Sequence, residues 1–161
     1  MTAIYARLSS REAELDVRSY LSGYADGEGC FCVSFSRSKR HRFGWEIRPS
    51  FSVSQNHDRM EILECFQELF GCGWIRPDRS DKTFKYETRS VGELVGRVIP
   101  HFREYPLMSG KGRDFDLFAD ICEMLSRREH LTPDGFNRIV ELAVQMNASG
   151  KRKFSKEEMM L

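Results

Sequence analysis

No run of 18 apolar residues occurs anywhere in this 161-residue chain, which excludes a membrane-crossing helix. Met1 to Arg11 hold no apolar core of the kind an export signal needs. A cytoplasmic or organellar protein, not a secreted one, is therefore expected. A disulfide framework is lacking: the five cysteines are an odd number with no framework spacing, which argues for reduced thiols. Cys30 and Cys32 have no second Cys or His pair at zinc spacing, so a structural zinc is not expected. Internal repeats are absent, and net charge is only +1. What remains is ordinary for a globular protein: 40% apolar and 30% charged residues. The length suits a single domain with a real core, assigned to residues 1–149. Residues 150–161, with the basic run Lys151-Arg152-Lys153, are expected to form a polar, poorly ordered tail.

The near-zero charge hides a segregation. Residues 29–55 carry five basic side chains and one acid, and residues 71–90 carry five basic side chains and three acids. Between them, Arg59 stands against Asp58, Glu61, Glu64 and Glu68. Basic strand-like regions thus flank an acidic helix, which builds a basic face on a nearly neutral molecule.

Periodicity supplies the elements. Ser10 to Asp26 has helical spacing through Leu15, Leu21, Tyr24 and Ala25. Residues 30–37 alternate, with Phe31, Val33 and Phe35 on one side and Cys30, Cys32, Ser34 and Ser36 on the other. Residues 45–55 alternate again, and Pro49 implies an edge position or a bulge. His57 to Phe70 is an amphipathic helix, with Asn56 or Asp58 as candidate cap and Gly71 as its stop. A second hairpin follows, turning at Pro77-Asp78-Arg79-Ser80-Asp81, with Phe84, Tyr86 and Thr88 alternating against Lys85, Glu87 and Arg89. Helices are expected over Val91 to Phe102, Lys111 to Arg128 and Thr132 to Asn147. Pro106 breaks the chain, and Thr132-Pro133-Asp134 forms a helix start. The order predicts an α+β fold: an αββαββα core with one antiparallel four-stranded sheet packed on helices.

One segment stands apart: Leu21-Ser22-Gly23-Tyr24-Ala25-Asp26-Gly27-Glu28-Gly29. A helix C-terminus carries partial negative charge and favours Lys, Arg or His. Glu28 sits there against that preference, which suggests a cation beside it. Gly23 and Gly27, four apart, share a helix face on which a second helix can approach almost backbone to backbone. The nine residues resemble the motif of the LAGLIDADG homing endonucleases, with Ser at the second position, Tyr-Ala at the two apolar positions and Glu as the final acid.

That resemblance implies the αββαββα fold and phosphodiester hydrolysis. A single motif implies a homodimer joined through Leu21, Gly23, Tyr24 and Gly27 by an isologous contact. Two Glu28 carboxylates then meet at two negative helix ends, and a hard divalent cation, Mg²⁺ or Mn²⁺, offsets their repulsion. Glu28 is the expected metal ligand, with the Gly27 carbonyl beside it, and Asp26 orients the motif helix or its neighbour. Gln55 is the expected solvent-positioning residue. Lys111 follows Pro106-Leu107-Met108-Ser109-Gly110, where the family often carries two lysines; Gly110 replaces the first, which leaves Lys111 or Arg113 as the basic group near the metals. No organic cofactor or membrane partner is expected.

The partner implied is double-stranded DNA on a long pseudo-palindromic site. A strand of about ten residues spans roughly 33 Å, close to one duplex turn of about 34 Å. Ser34, Ser36, Glu46, Arg48, Ser50, Ser52, Arg76, Asp78, Lys85, Glu87 and Arg89 fall on the outward sheet face. There Arg suits guanine and acids suit cytosine amino groups. Arg37, at the end of the first strand, is expected to face the DNA as well, and Lys39, Arg40 and Arg42 in the turn are expected to hold phosphates. The alternative is a non-catalytic relative that binds DNA as a regulator or an intron RNA as a splicing cofactor; it shares the basic sheet but has no need of Glu28.

Overall fold

Asp16 begins the first helix: its side chain accepts from the Arg18 backbone N–H, and α1 (Val17–Glu28) runs to a C-cap at Gly29. The computed structural model describes Ala6, residues 16–79 and residues 82–161. The helix expected from Ser10 is thus seen from Val17 onward, and Ser10 to Leu15 lie outside the described residues, as do Ser80 and Asp81. Position 29 has to be glycine on packing grounds, because a Cβ there would lie 2.6 Å from the Ala25 carbonyl oxygen. The chain can therefore leave α1 directly into a strand.

The four strands are β1 (Gly29–Arg37), β2 (Trp45–Asn56), β3 (Trp74–Pro77) and β4 (Thr83–Thr88), with α2 (Glu61–Phe70) between the hairpins. They form one antiparallel sheet in the order β1-β2-β4-β3. A continuous helical segment, α3, then passes through Val91–Glu93, a π-helical stretch at Leu94–Val98, and Ile99–Glu104. The widened turn immediately precedes Pro100, which has no N–H to return to the preceding turn. Three more helices follow: α4 (Lys111–Ser126), α5 (Pro133–Ala143) and α6 (Lys156–Met159). The αββαββα order read from the sequence is the order found.

Strand alternation decides which face is buried. Phe31, Val33, Phe51, Val53 and Tyr86 point to the helices and are almost fully buried. The Phe31 ring lies 5.3 Å from those of Phe102, Phe115 and Phe118. Pro49 pairs with Val33, while β2 meets β4 only from Phe51 onward. It therefore occupies a stretch of β2 with a neighbour on one side only, where a missing N–H breaks no second ladder.

Two expectations are corrected. Neither Asn56 nor Asp58 caps the second helix: a 3-10 turn at His57–Arg59 intervenes, and Met60 stands at the N-cap without a side-chain bond. The terminal segment is not a loose tail. The Arg152 guanidinium donates to the Val33 and Ala143 carbonyls, beside the Asn147 amide, which donates to the Phe31 carbonyl at 3.0 Å from just before the segment. Phe154 packs edge-on against Trp45 with ring centroids 4.8 Å apart, and Met159 is buried. A polar composition misleads here because β1 is a sheet edge whose free carbonyls need donors, and this segment provides them.

α1 is also pinned from behind. Ser22 Oγ donates to the Tyr105 carbonyl at 2.7 Å, so its proton is committed. His101 Nε2, 3.0 Å away, must then carry a proton and donate to Ser22. Its Nδ1 is buried and has no partner among the described residues. Burial, reinforced by the nearby Arg18 charge, lowers the His101 pKa to about 4. The folded state therefore resists a proton that the unfolded chain accepts near 6.5. This contribution to stability is complete above pH 6.5 and is lost as pH falls toward 4, on the order of 3 kcal/mol. Melting curves from pH 4 to 8 should show a steeper acid loss for the wild type than for His101→Gln, since both share the carboxylate background. Parallel curves would contradict a neutral His101.

Candidate active site and nucleic-acid interface

The end of α1 gathers several charged groups. Lys111, at the start of α4, extends its ammonium back to the Ala25 carbonyl at 3.1 Å and the Gly29 carbonyl at 2.6 Å. These atoms flank Glu28 in the chain, so a positive charge sits on the negative pole of α1, where the macrodipole favours it. Asp26 fixes the loop that delivers Lys111. Its carboxylate accepts from the Met108 N–H at 3.0 Å, the Ser109 N–H at 2.8 Å and the Ser109 hydroxyl. Partial burial alone would raise the Asp26 pKa, but those bonds and the Lys111 charge outweigh it and hold the group below the ordinary carboxylate value. Arg113, the other candidate base, is exposed on α4.

Glu28 is exposed at this helix end. Gln55 closes β2 nearby: β1 begins opposite Val53, and Gln55 lies two residues beyond. Its amide donates to the Tyr24 hydroxyl, and its carbonyl oxygen accepts from the Asn56 N–H at 2.7 Å. Tyr24 stands one helical turn before Glu28, so Gln55 is tied to the same helix end. Among the described residues no three His, Cys, Asp or Glu side chains cluster to hold a metal ion. One exposed carboxylate at a carbonyl-rich helix end fits a hard, oxygen-preferring cation only when ligands from outside this chain complete the shell.

The four expected dimer residues separate. Gly23 and Gly27 are exposed, and a Cβ at either would meet no other described residue within 4 Å. Leu21 is 0% exposed and cannot reach a partner; it belongs to the core. Tyr24 is half-buried, with its ring 6.2 Å from Phe66 and its hydroxyl engaged by Gln55. The helical period accounts for this: positions 21 and 25 face inward and positions 23 and 27 face outward.

Across the sheet, register aligns the outward side chains in rows. Cys30, Ser52, Glu87 and Trp74 form one row, and Ser54, Lys85 and Arg76 form the next. Ser34 pairs with Arg48, and Ser36 with Glu46. Arg37 is a correction: parity puts it on the side of Val33 and Phe35, and its guanidinium lies 3.9 Å from the Trp45 ring centroid. Lys39, Arg40 and Arg42 are exposed in the β1–β2 turn. Each acid assigned to the outward face is engaged by a base of the same face. Glu46 binds Arg48 at 2.6 Å, Asp78 binds Lys85 at 3.2 Å, and Glu87 binds both Arg76 and Arg89. The Glu87 side chain is only 7% exposed, so it is not placed to accept from a cytosine amino group. Ser52 is likewise nearly buried. Trp74 is 41% exposed on the outward face; its place opposite Glu87 follows only from the register and carries no signal in the sequence.

Known proteins share this architecture. The LAGLIDADG endonuclease family matches residues 21–122. A probable intron-encoded endonuclease of Neurospora crassa is 32% identical over 143 residues, covering 88% of this chain and 27% of that protein. The homing endonuclease I-ApeII of Aeropyrum pernix is 27% identical over 157 residues, covering 89% of this chain and 88% of its own. The solved structure of the archaeal intron-encoded homing endonuclease I-Vdi141I complexed with DNA superposes with a TM-score of 0.82 at 30% identity, over 89% of this chain and 92% of that one. This chain spans only a quarter to a half of the length of several curated relatives it matches. With the motif on α1, the sheet order and these similarities in agreement, the chain belongs to the LAGLIDADG endonuclease family.

Proposed function

We propose that two copies of this chain act together as a site-specific, metal-dependent DNA endonuclease, with each sheet docked along one half of a long site. The observation that carries this reading is the exposed Glu28 at the end of a helix whose outward face is bare glycine, with Lys111 fixed against the same end. Tyr20 and Met108, 41% and 91% exposed, flank that face. Tyr20 lies three residues before Gly23, and Met108 is held on the Asp26-bound loop. Apolar side chains beside a flat helix face suit burial against an identical helix. Pairing would bring two Glu28 carboxylates to one seam.

The chain's own residues then have separable tasks. Glu28 from each subunit, with the Gly27 carbonyl, would hold Mg²⁺ or Mn²⁺ together with phosphate oxygens. Such an ion, when bound, activates water and stabilises the leaving oxygen. Lys111 keeps a positive charge beside the reacting phosphate without occupying Glu28, because its bonds go to backbone carbonyls. Gln55 has a second amide N–H beyond its bond to Tyr24 and can orient a water. Lys39, Arg40 and Arg42 supply phosphate contacts, which set affinity and its salt dependence.

Glu28→Gln should abolish nicking of a randomised plasmid library in Mg²⁺ while leaving duplex binding intact, and chelation should do the same to the wild type. Equal cleavage by both proteins would remove Glu28 from the reaction; binding without cleavage by the wild type would favour a regulator or splicing cofactor. Asp26→Ala frees the loop that carries Lys111. Cleavage should fall about tenfold or more, with stability reduced by about 1–2 kcal/mol and duplex affinity little changed; undiminished cleavage would show that this latch is not needed. Sedimentation at micromolar concentration should give a dimer for the wild type and a monomer for Gly23→Leu, a substitution at an exposed position where an added Cβ meets no other described residue within 4 Å. A wild-type monomer that still cuts both strands would contradict the symmetric arrangement.

A further inference from the structure

We infer that Arg76 reads a guanine in the inner part of each half-site, held in its reading pose by the nearly buried carboxylate of Glu87. The inference rests on the proposed docking of the outward sheet face on duplex DNA and names what one part of that face recognises. Glu87 Oε2 accepts from Arg76 Nε at 3.3 Å and from Nη2 at 3.2 Å. The carboxylate therefore occupies one side of the guanidinium. Among the described residues Nη1 keeps both its protons and Nη2 keeps one, which leaves the end of the fork open. Two parallel donors at that spacing match guanine, which presents two acceptors in the major groove; adenine offers one acceptor beside a donor.

The cost of Glu87 identifies its role. A carboxylate 7% exposed loses hydration and would repel DNA phosphates. Two guanidiniums offset that cost, since Arg89 Nη2 also reaches Oε1 at 3.1 Å and Oε2 at 3.0 Å. The pair of arginines is thereby ordered before DNA arrives, and less rotamer freedom is lost on binding. Trp74, opposite Glu87 in the register, lies with its ring 6.0 Å from the Arg89 guanidinium. It limits that side chain from the edge of the sheet. The whole unit carries net positive charge, so affinity does not suffer.

Place follows from register. Glu87 pairs with Ser52, and Ser52 with Cys30, two residues past Glu28. This row is at the end of the sheet nearest α1, while the β1–β2 turn is at the far end. The guanine read by Arg76 therefore belongs close to the cut, not at the outer end of each half-site.

The test is selection of bound duplexes from a randomised library in chelator, where no cleavage intervenes. The wild type should enrich a guanine at one inner position of each half-site by about five- to a hundredfold. Arg76→Ala and Arg76→Lys should both lose that preference alone; Lys keeps the charge but not the fork. Glu87→Gln should weaken the same preference while binding to unrelated duplex stays equal or tightens, because a negative charge has left the face. A purely structural Glu87 would instead lower affinity at every position together with the melting temperature, and that result overturns the assignment. So does an inner guanine that survives in both Arg76 variants. A wild type that enriches no sequence at all would overturn the docked sheet, and this inference with it.

Discussion

The carbonyl-rich end of α1 is the constraint around which the rest of the protein is arranged. A helix that stops there presents a negative pole, and Glu28 adds a full charge to it. The chain answers with one basic group of its own, Lys111, bonded to the carbonyls on either side of the acid. That ammonium comes from α4, and the loop before α4 is bound by Asp26 on α1 itself. Helix, loop and lysine thus form a closed circuit in which each part fixes the next. Ser22 and His101 hold the same helix from its opposite side. The result is a helix end held from two sides with an exposed acid, as the proposed shared cation site would require of each half.

The sheet follows a related logic. Its outward face pairs acids with bases from the same face, so arginines and lysines are oriented before any partner is met. Glu87 is the extreme case, almost buried and serving two arginines. Acids on a nucleic-acid-binding face lower nonspecific attraction, and here that loss comes with fixed geometry. The β1–β2 turn, with Lys39, Arg40 and Arg42, carries exposed basic side chains better suited to phosphates. In the proposed docking, affinity and discrimination would fall at different ends of the strands.

Much of this was readable in the residues. Alternation at Phe31, Val33 and Phe35 fixed the buried face of β1, and the motif from Leu21 to Gly29 led to the family and the fold. Glu28, Gln55 and Lys111, the residues the motif and its context single out, lie at one end of α1. The misses have physical causes. Leu21 belongs to the motif by pattern, yet the 3.6-residue period turns it into the core. Arg37 looks outward by composition, but strand parity places it over Trp45. Residues 150–161 are polar and still ordered, because the free edge of β1 draws Arg152 onto a strand carbonyl. Trp74 and the shared role of Glu87 needed the cross-strand register, which a single sequence does not carry.

The central claim is that α1 meets its twin through the glycine face and so brings the two Glu28 side chains together. Replacing Gly23 with cysteine and oxidising the protein tests it most directly, with the wild type as control for the native thiols. The account predicts a covalent dimer formed by the variant and not by the wild type. A variant that stays monomeric under oxidation, with its new thiol open to alkylation in the presence of duplex, would contradict it.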